Sequence, residues 1–498
     1  MAQLDFRTYL DKVRGCFLGK NIGGTLGAPF ECYQGVVDLD FYTHDISKGV
    51  LPNDDLDLQL VWLIAAEREG KKLTAATLAE YWLTYIVPDW SEYGIGKRNL
   101  RGGLLPSVSG GFENDFRDSN GCWIRSEIWA CLAPGRPDIA VRYAYEDAVI
   151  DHFGEGVYAE MFCAAMQSAA FVESDMEKLI DIALSYIPAD CDVAKAVAFV
   201  RECAKDPSLD WKAARKKLLQ TYTSSFGLRP LPGQEMDPEI PEPKRGWDAP
   251  SNIAIILLGH YYGKGDFSRA VCIAAGCCED ADCTAGTLAS VYGIIGGTAC
   301  IDEKWLIPIG DEIKTVSLDK TKHGEPATVT ELTERIARLM PTFMQENIAF
   351  DENGNIAVYA KDANDLMCED PHYWQSFHAD RFVLRAETGM FTFKALFDTA
   401  RAEEGVPIEV DLEIISKYPQ YQHFNWLDLV WHLPPEWEAV GGVEGRVCLM
   451  GHWDNYGKRH LTIIPHNLQK SRYDVTLEIR EVSTPARAYI PFTFLNMR

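Results

Sequence analysis

GCCEDADCTAGTLASVYGIIGG, residues 276–297, sets two acids, Asp280 and Asp282, two positions apart at the foot of a run of small and apolar side chains. A non-helical turn there aims both carboxylates the same way, while the run itself continues as a buried helix. A second acidic cluster, Asn53-Asp54-Asp55-Leu56-Asp57, lies far upstream and opens another apolar helical run, Gln59 to Ala66. Its acids fall in the first turn, where the helix dipole tolerates negative charge. Where the two helix starts meet, four or five carboxylates converge. Desolvated carboxylates repel, so each must be protonated, paired with a base or bound to a metal. Neither stretch contains Lys or Arg. An oxygen-rich set of Asp, Asn and Thr ligands suits a hard cation such as Mg²⁺ or Mn²⁺ better than Zn²⁺, which favours His and Cys. Spacing alone fits two unrelated, exposed helix caps equally well.

The 498 residues are 47% hydrophobic and 11% aromatic, enough for a sizeable core and more than one domain. Against 73 Asp and Glu stand 48 Lys and Arg, a net charge of -25, which opposes sequence-independent binding to nucleic acid or an anionic membrane. Residues 1–8, MAQLDFRT, hold no apolar core for a signal peptide, and no apolar run approaches the roughly 20 residues that span a bilayer. The expected location is therefore cytoplasmic. Fourteen Cys are scattered, many in small-residue helical runs (Cys163, Cys203, Cys272, Cys277, Cys278), a usage that fits buried reduced thiols and not a disulfide framework. Neither a C-x-x-C pair nor a His accompanies Cys277, Cys278 and Cys283, so zinc is not expected there.

From the N-terminus, glycines at 15, 19 and 23 recur on one face of a helix that Pro29 ends, permitting close approach of a neighbouring backbone. The exit delivers Glu31, an acid in an apolar setting that fits either a site or a solvated loop. Helical patterning continues through Leu73 to Val87. Between Asp89 and Asn120 the chain reads as a long loop, rich in Gly and Ser at 91–96 and 105–111, whose amides suit phosphate or sugar oxygens. Asn120-Gly121-Cys122-Trp123-Ile124-Arg125 leads back into helix, and His152 sits in a loop feeding the small-residue run Ala159 to Val172. That histidine reads equally as structural or ligand-binding. Helices are expected near Val193–Ala204, Trp211–Tyr222, Asn252–Tyr262 and Ser268–Cys278, with the proline-rich Arg229–Trp247 as an irregular excursion.

Gly19 to Glu31, Asn53-Asp54-Asp55, Asn120 to Arg125, Asp147 to Tyr158 and Asp280-Ala281-Asp282-Cys283 occur in an order and spacing that resembles the ADP-ribosylglycohydrolase family, that of dinitrogenase reductase-activating glycohydrolase. The resemblance covers roughly residues 10–310. It implies an all-α catalytic domain with two Mg²⁺ or Mn²⁺ ions that hydrolyses the N- or O-glycosidic bond at the anomeric carbon of an ADP-ribosyl group. Metal ligands implied are Asn53, Asp54, Asp55, Asp280, Asp282 and Cys283; catalytic residues are Glu31, Asp54, Asp55 and Asp282. Asn120 and Gly121 match a loop near the phosphates, and His152 matches a substrate-side histidine. The chain departs from the family pattern at Gly24, where Asp is usual, and at Asn53, Ala281 and Cys283, where Thr is usual. Those departures bear on the substrate, so two alternatives stand beside an ADP-ribosylated one: another furanosyl substrate (nucleoside, nucleotide or pentofuranoside), or ADP-ribose binding without catalysis.

Beyond residue 350 the period shortens to two. Phe391–Phe397, Ile408–Ile414, Leu461–Ile464 and Tyr473–Ile479 read as strands, which suggests an all-β, sandwich-like domain after the helical one. The expected division is 1–345 and 346–498, with the short apolar join between Met340 and Asp351 favouring a docked, not tethered, arrangement. Trp426, Trp431, Trp437 and Trp453 fit either core packing or a carbohydrate-facing surface.

Overall fold

Helix α1 (Phe6–Gly27) begins at Asp5, whose carboxylate accepts from the amides of Arg7 and Thr8, and from Gly15 to Gly27 every side chain is buried. In the computed structural model, which describes residues 2–222, 224–225, 227–241, 248–350, 356–361, 365–368, 370, 376–418, 424–450 and 456–497, the chain divides into two units. One comprises Met1–Gly94 and Asn114–Phe377; the other, Ile95–Glu113 and His378–Arg498. Trp247 and Trp453 lie outside the described residues.

The first unit continues with α2 (Asp54–Glu69) and α3 (Ala75–Tyr85); α4 (Ser91–Arg101) starts in it, and α5 (Val108–Gly111) belongs to the second unit. Then come α6 (Glu127–Leu132), α7 (Pro137–Ala148), α8 (Glu155–Ala169), α9 (Met176–Leu184), α10 (Asp192–Lys205) and α11 (Trp211–Thr221). α12 (Ala249–Gly263), α13 (Phe267–Gly276), α14 (Ala281–Gly296), α15 (Glu303–Ile309) and α16 (Val329–Met344) complete the helices. A Cβ placed on Gly15, Gly19 or Gly23 would run into the carbonyl oxygens of Gly293, Ala289 and Ala285 respectively. The glycine stripe of α1 thus brings its backbone against α14, and this pair forms the axis of the helical core. The segment Ala281–Cys300 has the length and mean hydropathy, 1.2, of a membrane span, contrary to the sequence reading; 67% of its most apolar stretch is buried here, as suits a core helix.

Short strands accompany the helices. β1 (Ala2–Asp5), β2 (Tyr33–Gln34), β3 (Arg229–Pro230), β4 (Ile348–Phe350) and β5 (Ile356–Ala360) form an antiparallel sheet in the order β1-β5-β4 and a parallel pair, β2-β3. Pro341 to Phe350, read from the sequence as the join between domains, is the end of α16 followed by β4. Residues 91–101, expected in a loop, are α4: Glu92 in its first turn and Arg98 and Arg101 in its last suit the helix dipole. The amide of Gly94 already donates to Trp90 O, whereas the amides that open the helix have no intrahelical acceptor.

In the second unit, β6 (Phe382–Glu387), β7 (Phe391–Phe397), β8 (Ile408–Ser416), β9 (Phe424–His432) and β10 (Glu438–Ala439) precede β11 (Glu444–Met450), β12 (Tyr456–Ile464), β13 (Arg472–Glu481) and β14 (Arg487–Leu495). They form two antiparallel sheets, ordered β10-β12-β8-β7-β6 and β11-β9-β13-β14. Phe397 of the first meets Phe492 of the second with ring centroids 5.3 Å apart, as in a sandwich. Trp431 and Trp437 are buried, whereas Trp426 is 47% exposed. All fourteen cysteines are free.

Candidate active site

The two acidic stretches meet. Asn53 caps α2, its side-chain oxygen accepting from the Asp55 amide at 2.8 Å, and its Nδ2 reaches Asp282 Oδ2 at 3.3 Å. Asp280 precedes α14 and Asp282 lies in its first turn. Two successive residues before them, Cys278 and Glu279, have positive φ, 58° and 65°, a left-handed turn that non-glycine residues adopt only when their surroundings hold them. Glu279 is held by Arg215 at 3.2 Å, Ser224 Oγ at 2.7 Å and the Ser225 amide at 2.9 Å. Its backbone also pairs with the segment leaving α1: Cys32 N donates to Glu279 O, and Glu279 N to Tyr33 O. That bridge carries Glu31 to the two aspartates.

Two groups of ligand atoms result, each with members within 4.8 Å of one another: Asp55, Asp282 and Cys283, and Glu31, Asp280 and Asp282. Asp282 belongs to both. Its Oδ1 is buried and has no hydrogen-bond partner among the described residues, so the pair of groups fits a cation or two sharing that carboxylate. Asp54 is in neither group; Tyr93 donates to its Oδ2 at 2.9 Å. Asp57 turns aside and accepts from the amides of Val316 and Ser317 at 2.7 and 2.6 Å, a structural duty that burial of a carboxylate requires. Glu31, expected to stand apart from the metal ligands, has its carboxylate within 4.8 Å of those of Asp280 and Asp282.

One base also enters, from α1. Lys20 Nζ lies 3.1 Å from Asp55 Oδ2 and 3.2 Å from Glu127 Oε1, with all three side chains nearly fully buried. It falls outside both acidic stretches, which is why neither revealed a basic partner; only the packing of α1 on α14 makes it a neighbour. Burial pushes Asp280 and Asp282 well above the usual carboxylate range, and the neighbouring acids add to the shift. Burial and the charges of Asp280, Asp54 and Asp55 push Glu31 up to about 8. Burial and Asp55 raise Asp54 to about 6, partly offset by the Tyr93 hydroxyl. A single ammonium does not neutralise this set, which leaves room for divalent charge.

The acids face a cavity of about 570 Å³ lined also by Trp90, Ser91, Glu92, Tyr93, Asn120, Gly121 and Cys283. Asn120 Nδ2 donates to Asp280 Oδ2 at 2.7 Å and its Oδ1 accepts from Trp123 Nε1 at 3.0 Å. Asn120 and Gly121 therefore stand in the wall. His152 does not line the cavity. It is fully buried, Nε2 3.1 Å from Ser119 Oγ and Nδ1 2.9 Å from Asp151 Oδ1. Asp151 and Asp147 are clamped by buried Arg125 at 2.8 and 2.7 Å, whose guanidinium sits 4.8 Å over the Trp82 ring. Glu92, Tyr93 and Lys20 had no place among the residues singled out from the sequence; the acid in the first turn of an amphipathic α4 was the one available sign of the first two.

A family model described as ADP-ribosylglycohydrolase matches residues 6–342. This chain belongs to the ADP-ribosylglycohydrolase family. The match takes in α1, the cap of α2, Asn120, Asp280 and Asp282, and supports a glycohydrolase; its acidic clusters are of a kind that could hold metal. A solved ADP-ribosylglycohydrolase-related protein complex is similar at 17% identity and a TM-score of 0.41, over 68% of this chain and 98% of that one. No curated protein matches.

Proposed function

We propose that this ADP-ribosylglycohydrolase-family protein hydrolyses the N- or O-glycosidic bond at the anomeric carbon of an ADP-ribosyl group, with two divalent cations, Mg²⁺ or Mn²⁺, at Glu31, Asp280, Asp282, Asp55 and Cys283. The observation that carries the reading is the sharing of Asp282 by two ligand groups, with one of its oxygens buried and unpartnered. When bound, such cations supply Lewis acidity and charge for ribose hydroxyls and a water. The chain's own groups do the rest. Tyr93, Asn53 and Asn120 hold Asp54, Asp282 and Asp280 in orientation through their hydrogen bonds. The carboxylates face the anomeric carbon, where positive charge develops as the leaving group departs, and the buried walls restrict water.

The alternative of another furanosyl substrate gains support from one feature: His152, matched by resemblance to a substrate-side group, is withdrawn behind Ser119. Hydrolysis of ADP-ribosylated protein, ADP-ribose derivatives, nucleosides and simple furanosides, each with Mg²⁺ and with Mn²⁺, decides between them. Turnover confined to ADP-ribosyl compounds is expected; turnover of simple furanosides alone supports the alternative, and none with either metal overturns a catalytic reading.

A further inference from the structure

Glu92 lies in the first turn of α4 and lines the cavity of the acid cluster, yet belongs to neither group of ligand atoms. Its side chain is nearly buried, Ser119 hydrogen-bonds to its carboxyl, and Oε2 has no hydrogen-bond partner among the described residues. Oε1 lies against Gly121 so closely that a Cβ at that position would collide with it. A side chain at position 121 would displace the end of Glu92 from where it now sits. Behind Glu92 runs a fixed row, Ser119 Oγ to His152 Nε2 at 3.1 Å, then His152 Nδ1 to Asp151 Oδ1 at 2.9 Å, with Asp151 clamped by Arg125. A carboxyl in this position is desolvated, lines the cavity and keeps one oxygen without a partner among the described residues.

We propose that Glu92 is the general acid of the glycosidic cleavage proposed above, a reading on which this inference rests. As the bond from the anomeric carbon breaks, its electron pair goes to the leaving atom, and Glu92 gives that atom its proton. Water adds at the anomeric carbon and loses one proton to a carboxylate of the cavity, which passes it on to solvent; Glu92 takes one proton back from solvent. The sum is one water consumed and one glycosidic bond cleaved. Desolvation suits a proton donor, because it pushes Glu92 up to about 7, partly offset by His152, so the group is substantially protonated near neutral pH. Ser119, His152 and Asp151 are positioning residues for it, which gives the buried histidine a purpose that the cavity wall alone does not.

The test is Glu92→Gln in the full chain, assayed with the divalent metal on two substrates that share the ribosyl group wild type accepts. One carries p-nitrophenolate, which leaves without a proton; the other carries an alkoxide or guanidine, which needs one. The variant is expected to lose about 10²–10⁴-fold on the second and less than about tenfold on the first. Equal losses on both in a folded variant overturn the inference while leaving the function standing. Wild type inactive on both overturns the function and the inference with it. Should Glu92→Gln fail to fold, Glu92→Asp, which withdraws the acid by one methylene, is expected to show the same split, and equal losses there overturn it.

Discussion

Asp282 has one oxygen tied to Asn53 and the other buried without a partner, so removing its charge should be felt by metal before it is felt by the fold. Asp282→Asn is expected to weaken Mn²⁺ binding, measured by isothermal titration, by more than the roughly 10–100-fold that loss of an outer partner costs, and to abolish turnover. Glu31→Gln is expected to lower metal affinity as well as rate, because the structure groups its carboxylate with Asp280 and Asp282; unchanged metal content with lowered rate would return Glu31 to orienting water. Asp54, Asp55, Asp280 and Asp282 stood out in the sequence as acids at the starts of apolar helices, but their spacing fitted exposed caps equally well and only the family resemblance joined them into one site. Lys20 did not stand out, since it sits in a glycine-rich helix 35 positions from Asp55, and nothing local says that α1 and α14 touch along its face. His152 was legible as a residue of interest but not in its place: its loop position cannot tell a wall from the layer behind it.

Among elements, α1 and α14 show how much a spacing of four can carry. The glycine stripe announced a close neighbour, and the neighbour proves to be the very stretch that bears Asp280 and Asp282. Gly23→Ala forces a methyl into the carbonyl of Ala285, so the helices must part or shift; a loss of about 1–3 kcal/mol is expected, read as a lowered thermal midpoint. An unchanged midpoint would mean that the contact yields freely. α4 is hidden in the sequence because Gly94 and Gly96 read as loop residues and outweigh the charge order from Glu92 to Arg101 that suits a helix. In the sheets, Glu413 of β8 offers a pH test. Burial raises its pKa, but hydrogen bonds from His378 and Tyr456 prevail and bring it to about 2, below the 4.5 of an ordinary glutamate. A folded pKa below the unfolded one means that the contribution is present above pH 4.5 and lost as pH falls from there through 2. Denaturant midpoints of wild type should therefore fall more steeply than those of Glu413→Gln between those limits; parallel slopes would show that the residue adds no pH-dependent stability.

For the whole molecule, the expected cut near residue 345 tests how the chain is divided. Period-two patterning marked β7, β8, β13 and the end of β12, but it could not reveal the other strands or pairings made across long sequence distances. β5 pairs with β1 in the register Ala2↔Ala360, so a chain ending at 345 leaves the first strand of the helical unit without its partner. Ile95–Glu113 belongs with the sheets: Ser107 Oγ accepts from the Val383 amide at 2.9 Å, Arg472 Nη1 donates to Gly102 O at 3.1 Å, and Glu113 pairs with Arg401. Residues 1–345 would retain this insert with its partners removed, exposing Val108 and Phe112, which are buried in the full chain. The fragment is thus expected to melt lower than the helical unit of the full protein by about 5 °C or more and to associate on concentration. Circular dichroism melting with sedimentation of both proteins checks this. A monomeric 1–345 with an unchanged midpoint would show that neither the β1–β5 pairing nor the inserted segment contributes to stability, and that the helical unit ends where its helices do.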